Sequence, residues 1–511
     1  MKNIKYFLLS FLIIVLFSKY SFAQMISTML VSSVREIGNT TNFSPVKSLT
    51  IRPGIEIVSL ANAQYSGHIN RPYFVMPNDS IQFSNFTTSQ ASIFCLSRED
   101  TTYIHCKYLN NVTITDFDYD SIENMIYFCG VMNSPLTSQG YYQNIVGKLP
   151  LSVLYSSTTN IPIDIFTIAL NTPAYLKKVD FYRTPSTQTK KLSLIANDKD
   201  NQTNTVGSNN YMTGFAPSYY ISFNIDSITY WTFSTCNIRF TDVIHTQDYV
   251  VVCGMKDLQT LVLYSHLQDD PNFYVCRSYY TPIMYHHFKD PQYEIAPLIP
   301  QFNDFIVGAS IKGTNEERLE FTKFKINANI ITPQYTQFVI DNNDLECRSR
   351  ITDMTFNPRD MALYVVACNG CSMLDIRDMI FNVYPYNSTA YYSSIIVPSI
   401  AQEGFNLLKS ITSYNVFRDY LVFGAKANNP ITISQDSILN TGNLCFFDRI
   451  IDTSRRETCG EKYSFDLVTI DTYYTENDFQ YMYCGITHDT AAYLTLPVLY
   501  YSMTYRKSCI Y

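Results

Sequence analysis

Apolar residues in this chain fall in short runs that come in pairs, each pair joined by a polar turn. Ile114-Thr115-Asp116-Phe117 passes through Asp118–Asn124 into Met125-Ile126-Tyr127-Phe128-Cys129-Gly130, which reads as strand, turn, strand. Phe240-Thr241-Asp242-Val243 leads in the same way into Tyr249–Gly254, and Ile351-Thr352-Asp353-Met354 into Leu363–Cys368. No stretch holds a helical period over three turns, so the pattern predicts an all-β chain.

The phrase repeats. Thr469-Ile470-Asp471 leads into Tyr481–Gly485, and looser copies run from Lys178–Phe181 to Leu192–Ala196, from Ile295–Pro297 to Phe305–Ala309 and from Ser410–Ser413 to Tyr420–Gly424. Anchored at Asp116, Asp180, Asp242, Ala296, Asp353, Ser413 and Asp471, the seven copies stand 54 to 64 residues apart. Each interval has room for two further strands, such as Tyr219–Ile225 and Thr229–Phe233. A period of that size signals a repeat architecture. The chain thus resembles the β-propeller superfamily, and the resemblance implies a single propeller of seven four-stranded blades over 91–511. A pair of β-sandwiches is the competing arrangement of the same strands. The last copy has few residues after Asp471, so strands from Ala91–Leu96 and Tyr103–Tyr108 are expected to complete it. Residues 24–90 are an amino-terminal extension that could contribute further strands. Subfamily signatures are missing: there is no Trp-Asp closing dipeptide, no Gly-Gly pair and no Ser-x-Asp-x-Gly-x-x-Trp box, Trp231 being the only tryptophan.

Composition adds a compartment. Lys2 and Lys5 precede an apolar run Phe7–Phe17, and Ser21-Phe22-Ala23 offers small residues where a signal peptidase reads, so residues 1–23 are expected to be a removed export signal. The ending Phe22-Ala23-Gln24 resembles the signals of exported envelope proteins of Gram-negative bacteria. Export to the periplasm, outer surface or medium follows, with no membrane span expected after signal removal. Of 37 basic residues the leader holds Lys2, Lys5 and Lys19, leaving 34 against 44 acidic ones. That balance argues against a nucleic-acid partner.

All 13 cysteines lie beyond the leader, where an oxidising compartment makes disulfides the default. A cysteine shortly before a unit's first strand should meet the Cys-Gly closing its second. The expected pairs are Cys106 with Cys129, Cys236 with Cys253, Cys347 with Cys368 and Cys459 with Cys484. Cys95 and Cys106 also flank the turn Ser97–Thr102, so a pairing across that hairpin competes with the first. Cys368-Asn369-Gly370-Cys371 has redox spacing but lacks the helix start that such a site needs.

Candidate chemistry is thin. The recurrent Asp116, Asp180, Asp242, Asp353 and Asp471 could form a carboxylate ring for a cation or sugar, but a residue repeated in most units suits a structural task within each one. The pairs His286-His287 with Asp290 and His245 with Asp248 break the symmetry, yet adjacent histidines of a strand face opposite ways. Asp-Ser-Ile at Asp79, Asp120, Asp226 and Asp436 resembles a bacterial O-glycosylation sequon and is equally ordinary turn chemistry. No cofactor motif and no metal motif is found. The expected function is a binding or scaffold protein that recognises a protein or glycan of the envelope or host surface through its connector loops. The alternative is a polysaccharide-acting hydrolase or lyase with a carboxylate site.

Overall fold

The structure, a computed structural model, describes residues 31–38, 43–52, 56–63, 91–98, 104–132, 143–171, 174–198, 218–235, 238–257, 260–270, 274–280, 293–299, 302–312, 317–328, 330–340, 349–357, 361–369, 377–383, 394–397, 405–413, 420–427, 442–449, 461–463, 466–471, 475–477, 483–501 and 504–510. These residues are almost wholly strand, with one short helix at Leu151–Tyr155. The export signal, His286, His287 and Cys236 lie outside them.

The strands make antiparallel meanders of consecutive segments. The first unit is Phe43–Arg52, Glu56–Ala63, Ala91–Arg98 and Ile104–Asn110. The second is Val112–Asp120, Met125–Met132, Gln143–Pro150 and Ile161–Ile168. Ala174–Arg183 opens the third, Arg239–His245 the fourth, Tyr293–Pro297 the fifth and Ser349–Asn357 the sixth, each followed by three partners in chain order. The seventh combines Phe405–Ser413, Tyr420–Ala427 and Gly442–Arg449 with the amino-terminal strand Val31–Gly38. Each opening strand touches the opening strand of the next unit, and Phe43–Arg52 touches both Val112–Asp120 and Phe405–Ser413. The fold is all-β and propeller-like.

Sheets packed on both faces explain the uninterrupted apolar runs. In Met125–Met132, Ile126 and Phe128 face the core shared with Phe94 and Leu60 of the first unit. The alternate residues Tyr127 and Cys129 face Leu192, Leu194 and Phe223 of the third. Val250 and Val252 likewise pack toward the third unit, and Val251 and Cys253 toward the fifth.

Two sequence expectations need correction. The phrase at Asp471 does not open a unit. Asp466–Asp471 adds to the outer edge of the fifth sheet through Tyr335–Ile340, and Tyr483–Thr490 adds to the third through Thr229–Thr235. The described strands of the carboxy-terminal segment from Glu461 to Thr490 behave this way, supplying an outer strand to the sixth, fifth, fourth and third units in turn. Ala492–Tyr501 then pairs with Ile161–Thr167 of the second unit and, through Leu499–Tyr501, with Cys106–Tyr108 of the first. A strand lying on an edge needs the same alternating pattern as one inside a hairpin, so spacing alone could not separate them. The second correction concerns closure. Ala91–Arg98 and Ile104–Asn110 belong to a sheet with Phe43–Arg52 and Glu56–Ala63, inside the stretch read as an extension, while Val31–Gly38 sits between Gly442–Arg449 and Thr504–Ile510.

Candidate functional site

The recurring Thr-Asp and Cys-Gly dipeptides are two halves of one local structure. In the second unit Ile114 pairs with Gly130 and Asp116 with Cys129, which leaves Thr115 as an extra residue in the opening strand. The same slip occurs between Phe240 and Asp242, between Ile351 and Asp353, and between Leu176 and Lys178. A β-bulge of this kind bends the strand and re-aims its side chains. It also brings backbone close to the partner strand: a Cβ on Gly130 would lie 2.2 Å from the Thr113 carbonyl oxygen, and one on Gly254 2.5 Å from that of Arg239. Only glycine fits there. Thr115 Oγ1 rests 3.4 Å from Cys129 Sγ and donates to the Leu176 carbonyl of the next unit at 2.9 Å. Thr241 Oγ1 stands 3.2 Å from Cys253 Sγ.

Re-aimed carboxylates reach the next unit. Asp116 Oδ2 accepts the Val179 amide at 2.9 Å, Asp118 Oδ2 accepts the Phe181 amide at 2.7 Å, and Asp120 pairs with the Arg183 guanidinium. Asp242 Oδ2 accepts the Ile295 amide at 3.1 Å. Asp180 takes both oxygens to His245 Nδ1, at 2.9 and 3.0 Å. Two lysines join them: Lys47 lies 2.9 Å from Asp116, and Lys178 lies 3.5 Å from Asp242 and 3.2 Å from Glu294, two units on. Asparagines add a second interlock beside three of these four bulges. Asn62 and Asn197 donate to the carbonyls of Ile114 and Phe240, and Asn144 donates to that of Ala174 while accepting the Leu176 amide.

Crowded charge shifts these groups. Burial and repulsion from Asp180 raise Asp118 to about 6. Partial burial would lower His245, but Asp180 outweighs it and lifts the imidazole to about 9, so His245 holds its proton at neutral pH. Glu294 is held well above the carboxylate range by burial, with Asp242 and Asp353 repelling its charge against the attraction of Lys178. Both lysines are raised, burial being outweighed by their acidic neighbours.

Of the residues singled out in the sequence, Asp116, Asp180 and Asp242 meet in this network, with Asp353 near enough to act on Lys178. Asp471 lies apart, on the outer strand. His245 turns to Asp180 and not to Asp248, which pairs with Asn303. Alternation of Asp116, Asp118 and Asp120 on one strand face is the signal for Asp118, missed in the sequence, and for the place in the network of Asp120, known there only from its Asp-Ser-Ile tripeptide; Lys47, Lys178 and Glu294 give none. Among the described residues no group of three or more His, Cys, Asp or Glu side chains is arranged to hold a metal ion.

The cysteines depart from expectation. Cys106 is directly opposite Cys95, with Sγ atoms 2.7 Å apart, whereas Cys129 packs on Thr115 and Cys253 on Thr241. Cys129 and Cys253 are buried free thiols, because the Cys-Gly positions face neighbouring cores and not a connector. Cys106 therefore meets Cys95, its partner in the hairpin alternative, and not Cys129, and both sulfurs of that contact are thiols. Cys236, Cys347 and Cys459 lie outside the described residues, as do the side chains of Cys368 and Cys484.

Comparisons with known proteins add little. No family model matches, and no curated protein matches. Among solved structures, the NanB sialidase of Streptococcus pneumoniae superimposes over 81% of this chain and 94% of its own, with 6% identity and a TM-score of 0.31. That likeness is too low to bear on activity. Among the described residues no helix is long and apolar enough to cross a membrane.

Proposed function

We propose that the chain is an exported, closed seven-bladed propeller that serves as a rigid binding and scaffold module for a protein or glycan partner, engaged through its connector-loop face. One observation carries this reading: the inner carboxylates are engaged in joining units. Asp116, Asp118 and Asp242 accept amides of the following unit, Asp180 holds His245, and Lys178 spans from the third unit to the fifth. Groups so engaged fix the geometry on which loops are displayed. The contact of Phe43–Arg52 with both the second and seventh opening strands supports closure.

The test is a binding and turnover pair on the purified mature chain. Immobilised envelope and host glycans and envelope proteins should yield a saturable complex, with the same polysaccharides recovered unshortened. Shortened polysaccharide would overturn the reading in favour of the hydrolase or lyase.

A further inference from the structure

Cys95 and Cys106 are opposite one another in the hairpin of the first unit, 11 residues apart, with both side chains buried. Directly opposed residues of antiparallel strands have Cα atoms about 4.5 to 5.5 Å apart, inside the range that a disulfide spans. Their sulfurs already approach to 2.7 Å. Of the other described thiols, Cys129 lies against Thr115, Cys253 against Thr241 and the Tyr293 carbonyl, and Cys276 packs half-buried on the core between the third and fourth units.

We infer that Cys95 and Cys106 are a modification site, oxidised to a cross-strand disulfide that locks this hairpin. The position has a structural consequence, because Cys106 pairs on its other side with Tyr501. The bond would therefore fix the strand that seats the last part of Ala492–Tyr501, where that strand crosses from the second unit to the first. Oxidation by a small disulfide such as oxidised glutathione balances simply. One cysteine thiolate attacks it and displaces one glutathione thiolate, the second attacks the mixed disulfide and displaces another, and the two protons lost by the protein thiols are taken up by the two glutathione thiolates. Burial pushes the Cys106 thiol upward and shields both sulfurs, so the exchange belongs to folding, before the hairpin is covered. Closing so short a loop lowers the unfolding equilibrium constant roughly 100-fold in the chain-entropy model.

The experiment is refolding of the full mature chain from denaturant in a buffer of oxidised and reduced glutathione. Acid quenching, alkylation in denaturant and tryptic mapping follow. Trypsin cuts after Arg98 and Lys107, which separates the two cysteines. The expected result is a linked Cys95–Cys106 peptide, together with appearance of alkylated Cys95 in Cys106→Ala refolded alongside. Recovery of both as alkylated thiols, linkage of Cys106 to Cys129, or a Cys95 that stays blocked in Cys106→Ala overturns the inference. The buffer supplies the oxidant, so the outcome is independent of whether the chain is exported or what it binds.

Discussion

Asp116 accepts the backbone amide of Val179, 63 residues further on, at 2.9 Å while its other oxygen lies 2.9 Å from the Lys47 ammonium. One buried carboxylate thereby ties the opening strands of three successive units. Asp116→Ala leaves an amide and a cation without their acceptor, and such a loss costs on the order of 3 kcal/mol. Asp116→Asn keeps an acceptor for Val179 and should cost about 1 kcal/mol. Urea denaturation of the two variants checks the order; equal losses would mean that the amide contact contributes nothing.

The glycine of the Cys-Gly phrase is equally exposed to test. Gly130→Ala drives a methyl group toward the Thr113 carbonyl, whereas Gly147→Ala meets the ring of Phe128, a side chain. Backbone at a bulge has less room to yield, and overpacking of this type costs about 1–3 kcal/mol. Gly130→Ala should therefore lie at or beyond the upper end of that range and exceed Gly147→Ala. Thermal midpoints of both variants decide.

Two histidines should give opposite pH signatures. His266 Nδ1 donates to the Leu267 carbonyl and Nε2 accepts from Tyr220 OH at 2.7 Å, and burial lowers it from 6.5 to about 4. Its depressed value means that the unfolded chain binds the proton first, so stability is lost as pH falls from 6.5 toward 4. His245 is raised to about 9, so its contribution is full below 6.5 and lost as pH rises through 9, softened by an imidazole 42% exposed. Asp118, raised to about 6, works against His266 by favouring the folded state as pH falls from 6 to 3.8. Denaturation midpoints against pH should show a flatter alkaline limb in His245→Asn and a steeper acid limb in Asp118→Asn. An alkaline limb unchanged in His245→Asn would remove the ion pair from the picture.

What the sequence made legible follows from locality. Six opening hairpins stand where the repeated phrase put them, because turn, bulge and glycine are all local demands. The phrase at Asp471 misled for the reason that makes β-structure hard to read: a strand's pattern records that it is half or fully covered, not which strand covers it. Lys178 and Glu294, 116 residues apart, meet only through tertiary packing of the third unit near the fifth. Cys129 and Cys253 read as bridge partners in the sequence, and their true neighbours are the bulged threonines Thr115 and Thr241 one strand away.

Carboxy-terminal strands cover the outer edges of successive sheets, and those edges carry backbone groups able to pair with other chains. A chain ending at Gly460 loses every outer strand from Glu461–Tyr463 to Thr504–Ile510. It should form aggregates in size-exclusion chromatography, where the full mature chain elutes as a discrete species. A discrete species of unchanged unfolding midpoint would make the segment dispensable.

Closure itself is tested most directly by a cryo-electron-microscopy or crystallographic map of the mature chain. Seven radial sheets are expected, with Val31–Gly38 between Gly442–Arg449 and Thr504–Ile510 and Asp116 against Val179 at the inner strands. A ring of another number, or an amino-terminal strand paired elsewhere, would contradict the closed seven-bladed propeller.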